Sequence, residues 1–274
     1  MPMAYVEHGK GDPILLVHGN PTSSYLWRKV IPALSSVGRC VAPDLIGMGD
    51  SAKVFRGPRT YTFLDHQAYL EAFLAAMGID EHVTLVAHDW GGPLSFDWGR
   101  RHQGSVRAVA YMETIVAPLT WDDWPEPARR IFQGLRSEAG EEMVLEKNLF
   151  VERLLPGSVL DPLLEEVLDV YRRPYREVGE SRRPTLTWPR EIPFDGEPAN
   201  VAAIIEANRE WLAGPAIPKL FVNADPGSIL VGRQREVCRS FENQTEVTVR
   251  GLHFIQEDSG EAIGEATASW LRSL

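Results

Sequence analysis

The chain has 274 residues, 44% of them hydrophobic and 24% charged, with a formal net charge of −10. An acidic surface repels nucleic acid and anionic membranes, so neither is an expected partner. No apolar run reaches the roughly 18 residues of a membrane span, the opening MPMAYVEHGKGDP lacks the basic and apolar parts of a secretory leader, and two cysteines, Cys40 and Cys238, read as buried reduced thiols of a cytoplasmic protein.

In chain order, DPILLVHG reads as a strand ending in a tight turn, SYLWRKVIPALSS as helical, and RCVAPDLIG as a strand closing on GMGDS. TFLDHQAYLEAFLAAMGI carries apolar residues at helical spacing and stops at Gly78, a suitable position just past a helix end. HVTLVAHD is the next strand, GGPLSFDWGRRH the next helix, and SVRAVAYME the strand after it. Such alternation implies parallel pairing with helices on both faces, an α/β class.

The pattern then breaks. PEPARRIFQGLRSEAGEEMVLEKNLFVERLL and DPLLEEVLDVYRRPY are helical stretches without an intervening strand, followed by the proline-rich PTLTWPREIPFDG. Strands resume at IPKLFVNADPG and TEVTVRGLHF, and GEAIGEATASWLRSL closes the chain as a helix. The economical division is an α/β core built from residues 1–115 and 196–274, with a helical cap inserted over 116–195. A cap above the carboxyl ends of the strands is placed to close a pocket.

Four polar residues fall at strand ends: Asn20 after the first turn, then Asp89, Glu113 and His253. Singly, each has a plainer reading, as a helix N-cap, an exposed strand terminus or a packed histidine; the joint placement is what is specific. Nucleophile, acid and histidine in that order is the chain order of an α/β-hydrolase triad, and His18 and Gly19 mark the loop that supplies an oxyanion N–H. His18 and His88 read as packed residues, and His8, His66, His82 and His102 as surface or structural ones.

AHDWGG has the shape of a nucleophile elbow with Asp89 where serine is usual. A carboxylate is already ionised at neutral pH and attacks without a base. Displacement at an sp³ carbon then gives an alkyl ester on Asp89, which water activated by His253 must cleave, with Glu113 holding the imidazole. A halide leaving group needs only donors, which the Trp90 indole and the Asn20 amide can provide. An epoxide would need an acid as well. Tyr171 and Tyr175 in the cap are the candidates, but in YRRPYRE they read as packing or surface residues.

The segments HGNPTSSYLWR, DLIGMGDS, HDWGG, YME and HFIQED, with RSEAGEEMVLEKN and RRPTLTWPR in the insertion, together resemble the haloalkane dehalogenases of the α/β-hydrolase superfamily over nearly the whole chain. The resemblance implies an α/β-hydrolase fold, a mostly parallel sheet flanked by helices with an all-helical cap. It implies Asp89 as nucleophile, His253 as base, Glu113 as acid, and Trp90 with Asn20 as the halide-stabilising pair, with no cofactor or metal. Pocket positions of the family correspond to Ile115, Trp124, Phe132, Phe150, Pro189, Ile229 and Phe254. Substrate and product would be a small apolar haloalkane with water, and a halide.

Asp225 in NADPGS occupies a strand end where many α/β hydrolases carry their acid, so it competes with Glu113 for one role. Family members usually have a further strand before the one at MAYVEHG, so the resemblance implies a shorter sheet with MAYVEHG near its rim, where association between copies could occur. Epoxide hydrolases and a coelenterazine luciferase share parts of the motif set. Epoxide opening, and a non-hydrolytic light-emitting or ligand-binding role, are therefore the alternatives.

Overall fold

Seven short runs rich in aliphatic and β-branched residues pair into one sheet: β1 (Tyr5–His8), β2 (Pro13–Val17), β3 (Arg39–Pro43), β4 (Val83–Asp89), β5 (Val106–Thr114), β6 (Lys219–Pro226) and β7 (Gln244–Gly251). The computed structural model describes residues 1–124 and 126–274. The strand order is β1-β3-β2-β4-β5-β6-β7. All neighbours are parallel except β1, which runs antiparallel to β3 and forms the rim.

Because successive strand residues point to opposite faces, the sheet feeds two cores. Leu15, Val17, Leu85, Ala87, Val109, Tyr111 and Phe221 pack on one side. Ile14, Leu16, Val86, Ala108, Ala110, Leu220 and Val222 pack on the other. Burial on both faces explains why β4 is mostly apolar, with Thr84 the one polar residue before His88 and Asp89 at its end.

The helix Phe63–Met77 has local reasons to start and stop where it does. Thr62 and Asp65 form a reciprocal capping box, and Gly78 ends the helix in the left-handed region at φ 61°. SYLWRKVIPALSS is less regular than its periodicity suggests: a 3₁₀ stretch, Ser24–Lys29, precedes a single α turn, Ile31–Leu34. A helix absent from the sequence reading, Ala199–Ala213, leads back into β6.

Between β5 and β6 the described residues include no strand, only isolated bridges that join Leu119 to Phe194 and Phe194 to Glu197. The first expected helical stretch begins at Pro125, which lies outside the described residues. Its remainder is a helix, Glu126–Arg136, one α turn, Ala139–Glu141, and two π turns, Glu142–Glu146 and Phe150–Leu154. Asn148, at φ 51°, breaks the helix between the π turns.

The proline-rich PTLTWPRE, which periodicity alone does not mark, is helical over Arg183–Glu191. Pro184 sits in the first turn, where its missing N–H costs nothing, and Pro189 lies inside the helix. Carbonyls near the helix end are taken by the Arg136 guanidinium, whose Nη1 donates to Pro189 O at 3.1 Å, Arg190 O at 3.0 Å and Ile192 O at 2.7 Å.

This layer is fastened to the rest of the chain by polar contacts. Arg28 grips the Glu257 carboxylate with two bonds, at 2.5 and 2.6 Å, and the Tyr171 hydroxyl donates to the same carboxylate at 2.5 Å. Bidentate pairing and a third donor offset the cost of burying that charge. At the surface, Lys53 donates to Ser181 O at 2.7 Å.

Candidate active site

Asp89 ends β4 at φ 51°, in the left-handed region that side chains avoid, and the helix Gly91–Arg101 begins two residues later. The turn is tight enough to exclude side chains from its neighbours. A Cβ on Gly91 would stand 2.0 Å from Val17 O, one on Gly92 1.8 Å from Thr114 Oγ1, and one on Gly19 2.0 Å from Asp89 Oδ1. Thr114 further pins the turn by donating to Asp89 O at 2.5 Å. Strain and close packing together push the carboxylate off the strand end.

Glu113, one residue before the end of β5, also has positive φ, 39°. Its fully buried carboxylate accepts from the backbone N–H groups of Ser228 at 3.0 Å, Ile229 at 2.8 Å and Leu230 at 3.3 Å, all in the loop after β6. Asp225, the competing acid, is exposed at the end of β6. His253 follows β7 by two residues and lies between the carboxylates: Nε2 is 3.5 Å from Asp89 Oδ2 and Nδ1 3.6 Å from Glu113 Oε2. Among the described residues these are its acidic neighbours.

His88, read from sequence only as packing, has a definite task. Its Nε2–H donates to His253 O at 2.8 Å and its ring lies 4.6 Å from the His253 ring, fixing the base from behind. Burial, followed by repulsion from His253, pushes His88 down to about 3, so it stays neutral. The Leu45 N–H donates to His18 Nε2 at 2.9 Å, which leaves His18 Nδ1 to donate to Gly19 O at 2.9 Å. That bond steadies the loop carrying Asn20, whose backbone N–H donates to Asp89 Oδ1 at 2.6 Å.

Electrostatically the three groups act as a unit. Burial works against an imidazolium, but contact with Asp89 and Glu113 and their charge more than compensate, and His253 is raised to about 9. Burial would likewise raise Asp89, yet His253 and the Trp90 backbone amide hold it below the ordinary carboxylate value. Near neutral pH Asp89 is therefore a carboxylate and His253 an imidazolium.

Above Asp89 is a cavity of about 430 Å³ whose polar wall includes Asn20, Asp89, Trp90 and His253. Ile115, Trp124, Phe132, Phe150, Pro189, Ile229 and Phe254 all line it, as do Leu154, Ile192, Val231 and Leu252. The last four were missed: Leu154 projects from a π turn, and the others come from irregular segments or helix ends where periodicity carries no signal. No lysine or arginine lines the cavity among the described residues. Tyr171 and Tyr175 do not reach it; both are buried, and Tyr171 is committed to Glu257.

Residues 12–259 match the protein family described as alpha/beta hydrolase fold. The chain is 54% identical over 273 residues to a haloalkane dehalogenase of Sphingobium indicum, covering 99% of this chain and 92% of that protein. It is 52% identical over 275 residues to a haloalkane dehalogenase of Mycolicibacterium smegmatis, covering 99% and 88%. The crystal structure of haloalkane dehalogenase DbeA from Bradyrhizobium elkani superposes with a TM-score of 0.94 at 40% identity, covering 99% of this chain and 94% of that one. An aspartate elbow beneath an apolar cavity, in a chain that matches these relatives over nearly its whole length, places it in the haloalkane dehalogenase family of the alpha/beta hydrolase fold.

Proposed function

We propose that this chain hydrolyses small apolar haloalkanes to alcohol, halide and a proton, with Asp89 as nucleophile, His253 as base, Glu113 as the acid that holds it, and Trp90 with Asn20 as the halide donors. Residues 116–195 serve as the cap that excludes water from the attack. The observation that carries the reading is an ionised carboxylate, with one oxygen engaged by Asn20 N and the other turned to His253, at the floor of an apolar cavity whose described lining has no lysine or arginine to attract a carboxylate substrate.

In the first step Asp89 Oδ2 forms a bond to the alkyl carbon as the carbon–halogen bond breaks. The halide leaves with the electron pair and is received by the Trp90 indole N–H and the Asn20 amide. The ester oxygen carries no charge, so one of the two supports for the His253 imidazolium is gone. His253 then gives its proton to solvent and becomes a base only once there is an ester to cleave. It takes a proton from water as the hydroxide adds to the Asp89 carbonyl carbon. The oxyanion falls to Asn20 N, already 2.6 Å from Asp89 Oδ1. Collapse expels the alkoxide, which takes the acid proton of the reformed carboxyl and leaves as alcohol. His253 ends protonated, as it began, and the proton released overall is the one it lost after alkylation.

Epoxide opening would need an acid over the cavity, and the cap tyrosines are elsewhere. The two cysteines are buried and free, in keeping with a reducing cytoplasm. Self-association through the β1 rim is a further reading; a monomeric mass by light scattering at micromolar concentration would remove it. The primary test is halide release from 1-bromobutane or 1,2-dibromoethane. No bromide from either, with styrene oxide opened instead, would overturn the assignment.

A further inference from the structure

The geometry points to the cap helix Arg183–Glu191 as the element that positions both halide donors, through the Trp188 ring for Trp90 and the Thr185 carbonyl for Asn20. The inference rests on the halide-pair reading above and adds to it two residues that do not line the cavity.

The Trp188 indole is stacked on Trp90 at 4.6 Å between centroids and 23° between planes. Phe63 meets Trp90 at 6.0 Å. Behind Trp188 lies His66, stacked at 4.2 Å and 19°, with both ring nitrogens buried and without a protein partner. Burial drives His66 down to about 3, so this layer carries no charge at working pH. Trp188 is itself fixed by its own N–H, which donates to Met48 Sδ at 3.4 Å. A ring stacked on one face and met by Phe63 cannot tilt without losing contact area, so the Trp90 ring keeps its place in the cavity wall.

Asn20 is oriented by the same helix. In a regular helix the Thr185 carbonyl would accept from the N–H four residues on. That residue is Pro189, which has no N–H. The carbonyl instead receives Asn20 Nδ2 at 3.4 Å. An amide nitrogen has two hydrogens; engaging one on Thr185 leaves the second for the anion.

The helix is seated by contacts that reach the same neighbourhood. Thr187 Oγ1 donates to Thr60 O at 2.9 Å, and Glu191 accepts from Phe63 N at 2.9 Å, joining the helix to the start of Phe63–Met77.

The test is made on the full chain with four variants: Trp188→Leu, which removes the stack, Trp188→Phe, which shortens it, Pro189→Ala, which returns a competing N–H to Thr185, and Leu186→Ala, a buried change on the same helix away from the donors. The readouts are the bromide inhibition constant, the single-turnover alkylation rate and the rate of ester hydrolysis. Trp188→Leu should weaken bromide binding on the order of tenfold, with Trp188→Phe and Pro189→Ala weaker by about threefold, the range of one stacking or hydrogen-bond contact. Alkylation should slow alongside, while ester hydrolysis, which does not use the halide donors, stays within about twofold. Leu186→Ala should lower melting temperature without moving the bromide constant. Unchanged bromide binding in Trp188→Phe and Pro189→Ala, or an equal loss in Leu186→Ala, overturns the positioning role, and the Phe variant decides the matter if the Leu variant does not fold. Trp90→Leu separates the two claims: if bromide binding survives that change, the halide-pair reading has failed; if it is lost while the Trp188 and Pro189 variants bind normally, only the positioning role has.

Discussion

Replacing Asp89 by asparagine keeps the shape of the elbow and removes one of the two charges that hold a proton on His253. The imidazole nitrogen is 3.5 Å from that carboxylate. A unit-charge pair about 4 Å apart attracts by about 4 kcal/mol at an effective dielectric of about 20, and about 1.4 kcal/mol corresponds to one pH unit. The His253 titration midpoint, about 9 in the intact site, should therefore fall by about three pH units in Asp89→Asn, since burial then works against one remaining carboxylate. The assay is NMR titration of the His253 ring in the two proteins, with His253→Ala to assign the signal. An imidazole that still titrates near 9 in Asp89→Asn would refute the idea that alkylation releases the base. The same interaction carries a stability signature. His253 is raised above its ordinary value of 6.5, so its contribution is complete below that pH and is lost as pH rises through about 9. Melting temperature should decline over that interval more in the natural protein than in His253→Ala.

Other consequences are accessible to simpler measurements. His253→Ala should allow alkylation and block ester cleavage, leaving an alkyl adduct on Asp89 by intact-mass spectrometry after incubation with 1-bromobutane; an unmodified protein would contradict the assigned order of steps. Glu113→Gln should reduce bromide release by roughly 10²- to 10⁴-fold, by analogy with the orienting acid of a serine triad, whereas Asp225→Asn should leave it within about twofold; the reverse pattern would move the acid to β6. Gly92→Ala forces a Cβ against Thr114 Oγ1, a clash of 1.8 Å, and should lower stability by about 3 kcal/mol or abolish soluble expression; normal melting would mean that the elbow is looser than described.

How much of this was legible depends on whether the cause was local. The helix Phe63–Met77 was readable because its stop, Gly78, is written in its own residues. The elbow was readable for the same reason, since Asp89, Gly91 and Gly92 are adjacent in the chain. The choice between Glu113 and Asp225 was not local: it turns on three amides more than a hundred residues from Glu113, in the loop Ser228–Leu230. The insertion resisted more strongly. Its π turns arise where tertiary packing overrides periodicity, and its proline-containing helix is completed by Arg136, outside the segment itself. His66 and His88 looked equally inert in the sequence, yet one backs the Trp188 stack and the other anchors His253. Contacts made only on folding leave no local mark.

The backbone N–H of Asn20, 2.6 Å from Asp89 Oδ1, belongs to the same residue as the amide proposed to receive the halide. In the proposed reaction the negative charge of Asp89 disappears into an ester while an equal charge appears on the departing anion. Both locations answer to one residue, first through its main chain and then through its side chain. Alkylation thus relocates a charge across a single asparagine without changing the total carried by the pocket, so the apolar walls never face an added ion. A site arranged in this way needs little rearrangement of its surroundings during the step, and the forward and reverse displacements meet nearly the same electrostatic environment.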